Sequence, residues 1–123
     1  MSTATTAYTR AELDYLRNGP LLARLATVGR DGMPHVVPVG WWLDPILGVI
    51  EVRGRNLMKS KKFRDIVATG RAAIVIDDLE STDPWRPRGI EIRGRAKALD
   101  EDRPVIRIWP DHVYSWGIEE PVT

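Results

Sequence analysis

Short apolar runs separated by glycine, proline and aspartate breakers dominate this chain, the pattern of strands joined by turns. Near the start, Thr9-Arg-Ala-Glu12 has the form of a capping box, and Leu13 and Leu16 follow at helical spacing. Asn18-Gly19-Pro20 stops that segment, so a short helix is predicted over Arg10 to Arg17. Leu22 to Val28 reads as a first strand, closed by the turn Gly29-Arg-Asp-Gly32. Pro34 to Leu43 reads as a second, with Pro38 marking an edge position or a bulge because proline gives the ladder no donor. After Asp44-Pro45 comes a third, Leu47 to Arg53, and the three are expected to form an antiparallel meander.

The period then changes. Asn56 is read as the N-cap of a second short helix that puts Phe63, Ile66 and Val67 on one face, with Lys59, Lys62 and Asp65 largely off it. Gly70 ends it as a C′ residue. Ala72 to Ile76 is apolar throughout and is expected to be a strand buried on both faces. The proline-bearing stretch Asp77 to Arg88 is expected to be a loop. Ile90 to Leu99 alternates cleanly, with Ile90, Ile92, Gly94, Ala96 and Ala98 on one side and Glu91, Arg93, Arg95 and Lys97 on the other. Val105 to Trp109 is a sixth strand, broken by Pro110-Asp111, and His112 to Trp116 is an extended terminal segment. Six antiparallel strands and two short helices point to a mainly β barrel in a single domain over residues 1–123, with 1–8 and 119–123 as loose tails.

A length of 123 residues suits one domain with a real core. Net charge is +1, which gives no global pull toward nucleic acid or a membrane surface, but its distribution is uneven. From Arg53 to Arg71 there are seven Lys or Arg against the single acid Asp65, and from Arg86 to Lys97 five against Glu91. These segments are either a local anion site or solvated faces. There is no cysteine, which excludes disulfides, thiolate catalysis and cysteine-ligated metal, and the two histidines, His35 and His112, do not make a metal site. The N-terminal residues lack the form of a signal peptide, and the longest apolar run, Val36 to Leu43, is too short to span a bilayer. The expected location is the cytoplasm.

No phosphate-binding P-loop, dinucleotide fingerprint or nucleophile elbow occurs. What remains is the stretch Val52 to Asp65, V-R-G-R-N-L-M-K-S-K-K-F-R-D, where a strand passes through glycine into a helix. A helix N-terminus carries partial positive charge and unpaired N–H groups. Arg53, Arg55, Lys59, Lys61, Lys62 and Arg64 surround it, so the stretch forms a seat for a phosphate or a polyanionic tail. The five tryptophans either stack on a planar ring or fill core and interface positions.

Taken in order, R-L-A-T-V-G-R-D-G-M-P-H-V-V-P-V-G from Arg24, K-K-F-R-D from Lys61, G-R-A-A-I-V-I-D-D from Gly70, W-R-P-R-G-I-E-I-R-G-R-A from Trp85 and V-I-R-I-W-P-D-H-V-Y-S-W-G-I from Val105 resemble the FMN-binding split-barrel superfamily that includes pyridoxamine 5′-phosphate oxidase. More narrowly, the chain resembles the PPOX-class F420-dependent enzymes, the flavin/deazaflavin oxidoreductases of type B. The resemblance implies a six-stranded split β-barrel and a homodimer with the cofactor between subunits. It implies that Ser60, Lys61 and Lys62 stand where relatives carry the phosphate-gripping S-R-K motif, with lysine in place of the arginine at 61. It sets His35, Val36, Val37, Pro38 and Val39 along the ring system, Arg55 and Asn56 near the phosphate-bearing linker, and Trp116 close to the ring.

The implied activity is an oxidoreductase that transfers a hydride from reduced F420 to a small electron-poor substrate. FMN-dependent redox chemistry and a non-catalytic flavin or F420 carrier are the alternatives. No general acid stands out beyond His35. The short connection D-E-D-R-P after Leu99 and the pair Trp41-Trp42 depart from the family pattern and alter the pocket wall. The substrate-binding arginine motif of true pyridoxamine phosphate oxidases has no counterpart after Trp116, so the vitamin B6 reaction is not expected.

Overall fold

The computed structural model describes residues 7–118, and its centre is one long strand. Helix α1 (Arg10–Asn18) precedes β1 (Leu22–Val28), β2 (Pro34–Gly40), β3 (Trp42–Leu43) and β4 (Ile50–Val52). A 3₁₀ turn at Leu57–Lys59 and helix α2 (Lys61–Thr69) follow, then β5 (Arg71–Thr82), β6 (Trp85–Asp100), β7 (Pro104–Ile108) and β8 (His112–Trp116). Every strand pairing is antiparallel, in the order β2-β1-β5-β6-β7-β4-β3, with β8 added on β6. The 16 residues of β6 serve two sheets. Arg95 and the residues before it pair with β5, Gly89 to Arg93 also pair with β8, and Ala96 to Asp100 pair with β7.

Where β6 passes from one sheet to the other, Trp109, Pro110 and Asp111 stand opposite Gly94 and Arg95. The Asp111 carboxylate replaces the missing backbone partner, accepting from the Arg95 N–H at 2.9 Å and from its guanidinium at 3.0 and 3.0 Å. Those bonds hold Asp111 far below the usual carboxylate range, at about 2. Gly94 is required here, because any Cβ would collide with the Trp109 carbonyl.

The barrel interior is aliphatic: Leu25, Ile50, Val52, Ile74, Ile76, Ile90, Ile92, Ile106 and Ile108 are fully buried. Alternation along β1 and β6 produces this, since every second side chain turns inward. Helix α1 closes one side with Ala11, Tyr15 and Leu16, and α2 another with Phe63 and Ile66.

Among the described residues eight strands form where six were expected. The second predicted strand breaks at Trp41 into β2 and β3, and β4 pairs with β3 and β7, not with β2. His112–Trp116 is a full strand. The predicted loop from Asp77 to Arg88 is instead the far half of the β5–β6 hairpin. Asp78 and Arg88 lie directly opposite, and Arg88 donates to both Asp78 oxygens at 2.8 and 3.1 Å, which holds the ladder together despite the prolines. In Ala72–Ile76 only Ile74 and Ile76 are buried, so one face is open.

Pro38 stays in unbroken register with Arg24 on an edge strand, so no bulge is involved. The expected tails lie outside the described residues except for 7–8 and there Tyr8 is corrected: it is 6% exposed and its hydroxyl donates to the Gly48 carbonyl at 2.6 Å. No described helix is long and apolar enough to cross a membrane.

Candidate functional site

The site grows from the entry into α2. Ser60, not Asn56, is the N-cap: its hydroxyl accepts from the Phe63 N–H at 3.4 Å and donates to the Leu57 carbonyl at 2.5 Å. Asn56 sits one turn earlier in the left-handed region, at φ 57°, and makes no side-chain cap bond. The first two residues of α2 are lysines and its first turn holds no acid. Cations at the positive end of a helix dipole are unfavourable unless something anionic joins them. Among the described residues, Lys59, Lys62 and Arg55 have no carboxylate within ion-pairing distance. Arg53 reaches Glu51 at 3.7 Å, and Arg64 donates to the Lys59 carbonyl at 2.7 Å.

Lys61 differs from its neighbours. Its ammonium donates to Asp65 at 2.9 Å, one helical turn on. Asp65, expected off the buried face, is only 4% exposed, while Val67, expected on that face, is 67% exposed. The inversion has a cause on β1. Thr27, also 4% exposed, donates its hydroxyl to Asp65 at 2.8 Å. Gly29 leaves the room: a Cβ there would stand 2.5 Å from the Asp65 carboxylate. Burial raises the Asp65 pKa most, but the bonds from Lys61 and Thr27 and the nearby charges of Lys61 and His35 outweigh it and leave it below the ordinary value. A second rivet lies at the helix end, where Thr69 donates to the Val28 carbonyl at 2.9 Å.

The other expected site residues divide by strand alternation. His35 stands opposite Thr27, and Val37 opposite Leu25, so both share the inward face; Val39, 7% exposed, does too. Val36 and Pro38 take the outer face, where Val36 is 64% exposed. Trp116 pairs with Gly89 and covers it, on the outer face of the same sheet and away from α2. The structure therefore brings His35, Lys61 and the missed residues Thr27 and Asp65 to one joint, and leaves Trp116 apart.

Among the tryptophans, Trp41 donates to the Pro20 carbonyl at 3.0 Å, Trp109 lies under Arg95 and Lys97, and Trp42 and Trp85 are exposed. An open groove of about 480 Å³ crosses the outer face, floored by Ala26, Val28 and Ala73 and edged by Arg71, Arg93 and Arg95. Two sequence signals could have found the missed pair: a lone hydroxyl in the inward series Ala23, Leu25, Thr27, and the four-residue spacing of Lys61 and Asp65.

Does this donor set suit a bound phosphate? The open N–H groups at the start of α2 do suit an anion, as does Lys62, which pairs with no carboxylate among the described residues. The model of the family described as pyridoxamine 5′-phosphate oxidase matches residues 9–117. The 5a,11a-dehydrotetracycline/5a,11a-dehydrooxytetracycline reductase of Streptomyces rimosus subsp. rimosus is 42% identical over 121 residues, covering 91% of this chain and 84% of that one. A conserved hypothetical protein from Mycobacterium tuberculosis superposes with a TM-score of 0.73 at 20% identity, covering 94% of this chain and 91% of that one. A structure described as an F420 reductase does so with a TM-score of 0.63 at 24% identity, covering 82% of this chain and 94% of that one. At such identities these two structures speak for the fold.

Proposed function

The chain belongs to the pyridoxamine 5′-phosphate oxidase family, and we propose that within it this protein is an F420H₂-dependent reductase of an electron-poor carbon–carbon double bond conjugated to a carbonyl. The observation that carries the reading is the start of α2, where Lys62, with no acidic partner among the described residues, meets open N–H groups, in a chain 42% identical to a reductase of dehydro substrates. Lys62 and the first N–H groups of α2 hold a cofactor phosphate, with Lys59 and Arg55 beside them and Ser60 fixing the helix start. The edge strand β2 offers one row of backbone groups, from His35 to Val39, that no strand among the described residues uses. When bound, reduced F420 supplies the hydride.

The chain's own part is to bind, to orient and to exclude water. His35 faces inward at the joint with Thr27 and is the candidate proton donor of the expected set. A homodimer through the outer face is part of this reading, supported by the exposed apolar side chains Met33, Val36 and Tyr114 close in sequence to the groove's lining residues. The test is a fluorescence titration of the purified protein with F420 and with FMN, then turnover of F420H₂ with dehydrotetracycline-type enones. Tight FMN binding without F420 binding would replace this reading by FMN-dependent chemistry. F420 binding with no turnover of any enone would leave a carrier.

A further inference from the structure

The β5–β6 hairpin runs on past the sheet it belongs to. β1 pairs with β5 only as far as Val75, and β8 pairs with β6 only from Gly89 onward. From Asp78 to Arg88 the two strands pair only with each other and form an arm. A two-stranded ribbon is marginal by itself, and one face of this arm is braced. Arg88 bonds Asp78, Tyr15 of α1 donates to Asp78 at 2.8 Å, and the Arg88 guanidinium lies 5.4 Å from the centre of the Tyr15 ring. The opposite face is exposed. Alternation along β6 sets Trp85 and Pro87 on the side of Gly89, Glu91 and Arg93, which is the outer face, and Leu79 stands opposite Pro87. Trp85 is 67% exposed. A large apolar side chain held out on a braced arm marks an interaction surface.

The other end of the same face carries the complement. The groove there has an apolar floor that includes Ala73 and a rim of Arg71, Arg93 and Arg95. Arg71 has no carboxylate partner among the described residues, and Asp83, two residues from Trp85, has no cationic one. The largely exposed Arg93 guanidinium offers its plane to an indole. Trp85 cannot fill the groove of its own chain, because nine residues of one strand, about 30 Å, lie between Trp85 and Gly94.

Resting on the reading that the chain is a homodimer through its outer face, we propose that the arm of each copy docks in the groove of the other. The two β6 strands run antiparallel across the interface, Trp85 sits between the partner's Arg93 and the partner's Arg95, and Asp83 meets the partner's Arg71. A two-fold axis beside Gly89–Ile90, midway between Trp85 and Gly94, makes both contacts at once, as an isologous interface requires. Strands about 4.8 Å apart in the face β2-β1-β5-β6-β8, with the arm added, give an area of the order of the 800 Å² that each partner of a stable dimer buries.

The chain has no cysteine, so introduced cysteines report the docking directly. Thr82 stands opposite Trp85 on the arm, and Ala73 lies about 30 Å back along the same strand. A short bismaleimide can therefore join Thr82→Cys to Ala73→Cys only between copies. The double variant should run as a covalent dimer, and neither single variant should. Sedimentation velocity should show Trp85→Ser, folded by circular dichroism, weakening the dimer at least about thirtyfold. Arg71→Asp and Asp83→Arg should each weaken it about fivefold, and the two together in one chain should return it to within about threefold of wild type.

A dimer whose double-cysteine variant stays unlinked, or which Trp85→Ser leaves as tight as wild type, overturns this inference and leaves the homodimer standing. Linking by Thr82→Cys alone sets the two arms side by side and also overturns it. A monomeric wild type removes the homodimer and this inference with it, leaving the arm and the groove to other partners. The cofactor titrations decide the rest of the functional reading independently.

Discussion

Helices α1 and α2 are the same length, nine residues each, and begin in opposite ways. At the start of α1, Thr9 and Glu12 form a reciprocal capping box, with bonds of 3.1 and 2.8 Å. An acid stands at the positive end and Arg17 in the last turn, as the helix dipole favours. Glu12 also accepts from Ser115 at 2.6 Å, so the same carboxylate ties the helix to β8. At the start of α2, Ser60 caps one N–H, and the next two residues are lysines with no acid in the first turn. One helix start is arranged for its own stability. The other leaves charge and donors for something outside the chain, the kind of local inconsistency that marks a binding site.

The largest effect expected from this contrast is at Lys62. Lys62→Glu should weaken cofactor binding by about 3 kcal/mol while raising helix stability by about 0.5 kcal/mol. Titration and thermal unfolding on one sample read both, and an unchanged affinity would erase the difference between the two helices. Next is Glu12→Ala, which removes acceptors for the Thr9 N–H and the Ser115 hydroxyl. A loss of about 2 kcal/mol in urea unfolding is expected, with cofactor affinity unmoved. Ser60→Ala should cost about 1 kcal/mol of stability. Its hydroxyl is already committed to the cap, so cofactor affinity should fall far less than at Lys62.

The smallest effect is one of pH. Asp65 and Asp111 have folded values below those of the unfolded chain, Asp111 at about 2. Their stabilisation is complete above the unfolded carboxylate value of about 4 and is lost as pH falls through the folded values. Asp111→Asn should flatten the unfolding midpoint between about pH 4 and pH 2, and an equally steep acid limb in that variant would show that other carboxylates carry it.

How far these features could be read in the sequence depended on the range of the interactions behind them. The capping box of α1 and the αL glycine after α2 are local, and Thr9, Glu12 and Gly70 sit where their chemistry predicts. The inward row Ile90, Ile92, Ala96 is equally local, because strand alternation is set residue by residue. Asp65 was not legible. A helical wheel groups Val67 with Phe63 and Ile66, and the hydroxyl of Thr27, 38 positions away, joins Lys61 in making the burial of a carboxylate the better choice. The hairpin beyond Asp77 failed for the same reason. Its prolines are local signals for a loop, but Arg88 meets Asp78 only once the strands have paired. Asn56 and Ser60 are both good caps, and the backbone settled the choice by turning left-handed at Asn56.

The double duty of β6 has a consequence for how the fold breathes. Between Gly89 and Arg93 the strand is paired along both edges, to β5 and to β8, and just beyond, Ala96 donates to the Gly70 carbonyl while pairing with β7. Detaching β8 alone leaves the strand in place on β5, and the amides that face β5 stay bonded. Their exchange with heavy water should therefore wait for the whole chain to come apart. A single slow rate from Ile90 or Ile92 would then report the global free energy of unfolding, while the start of α2 exchanges early and slows only when an anion settles on it.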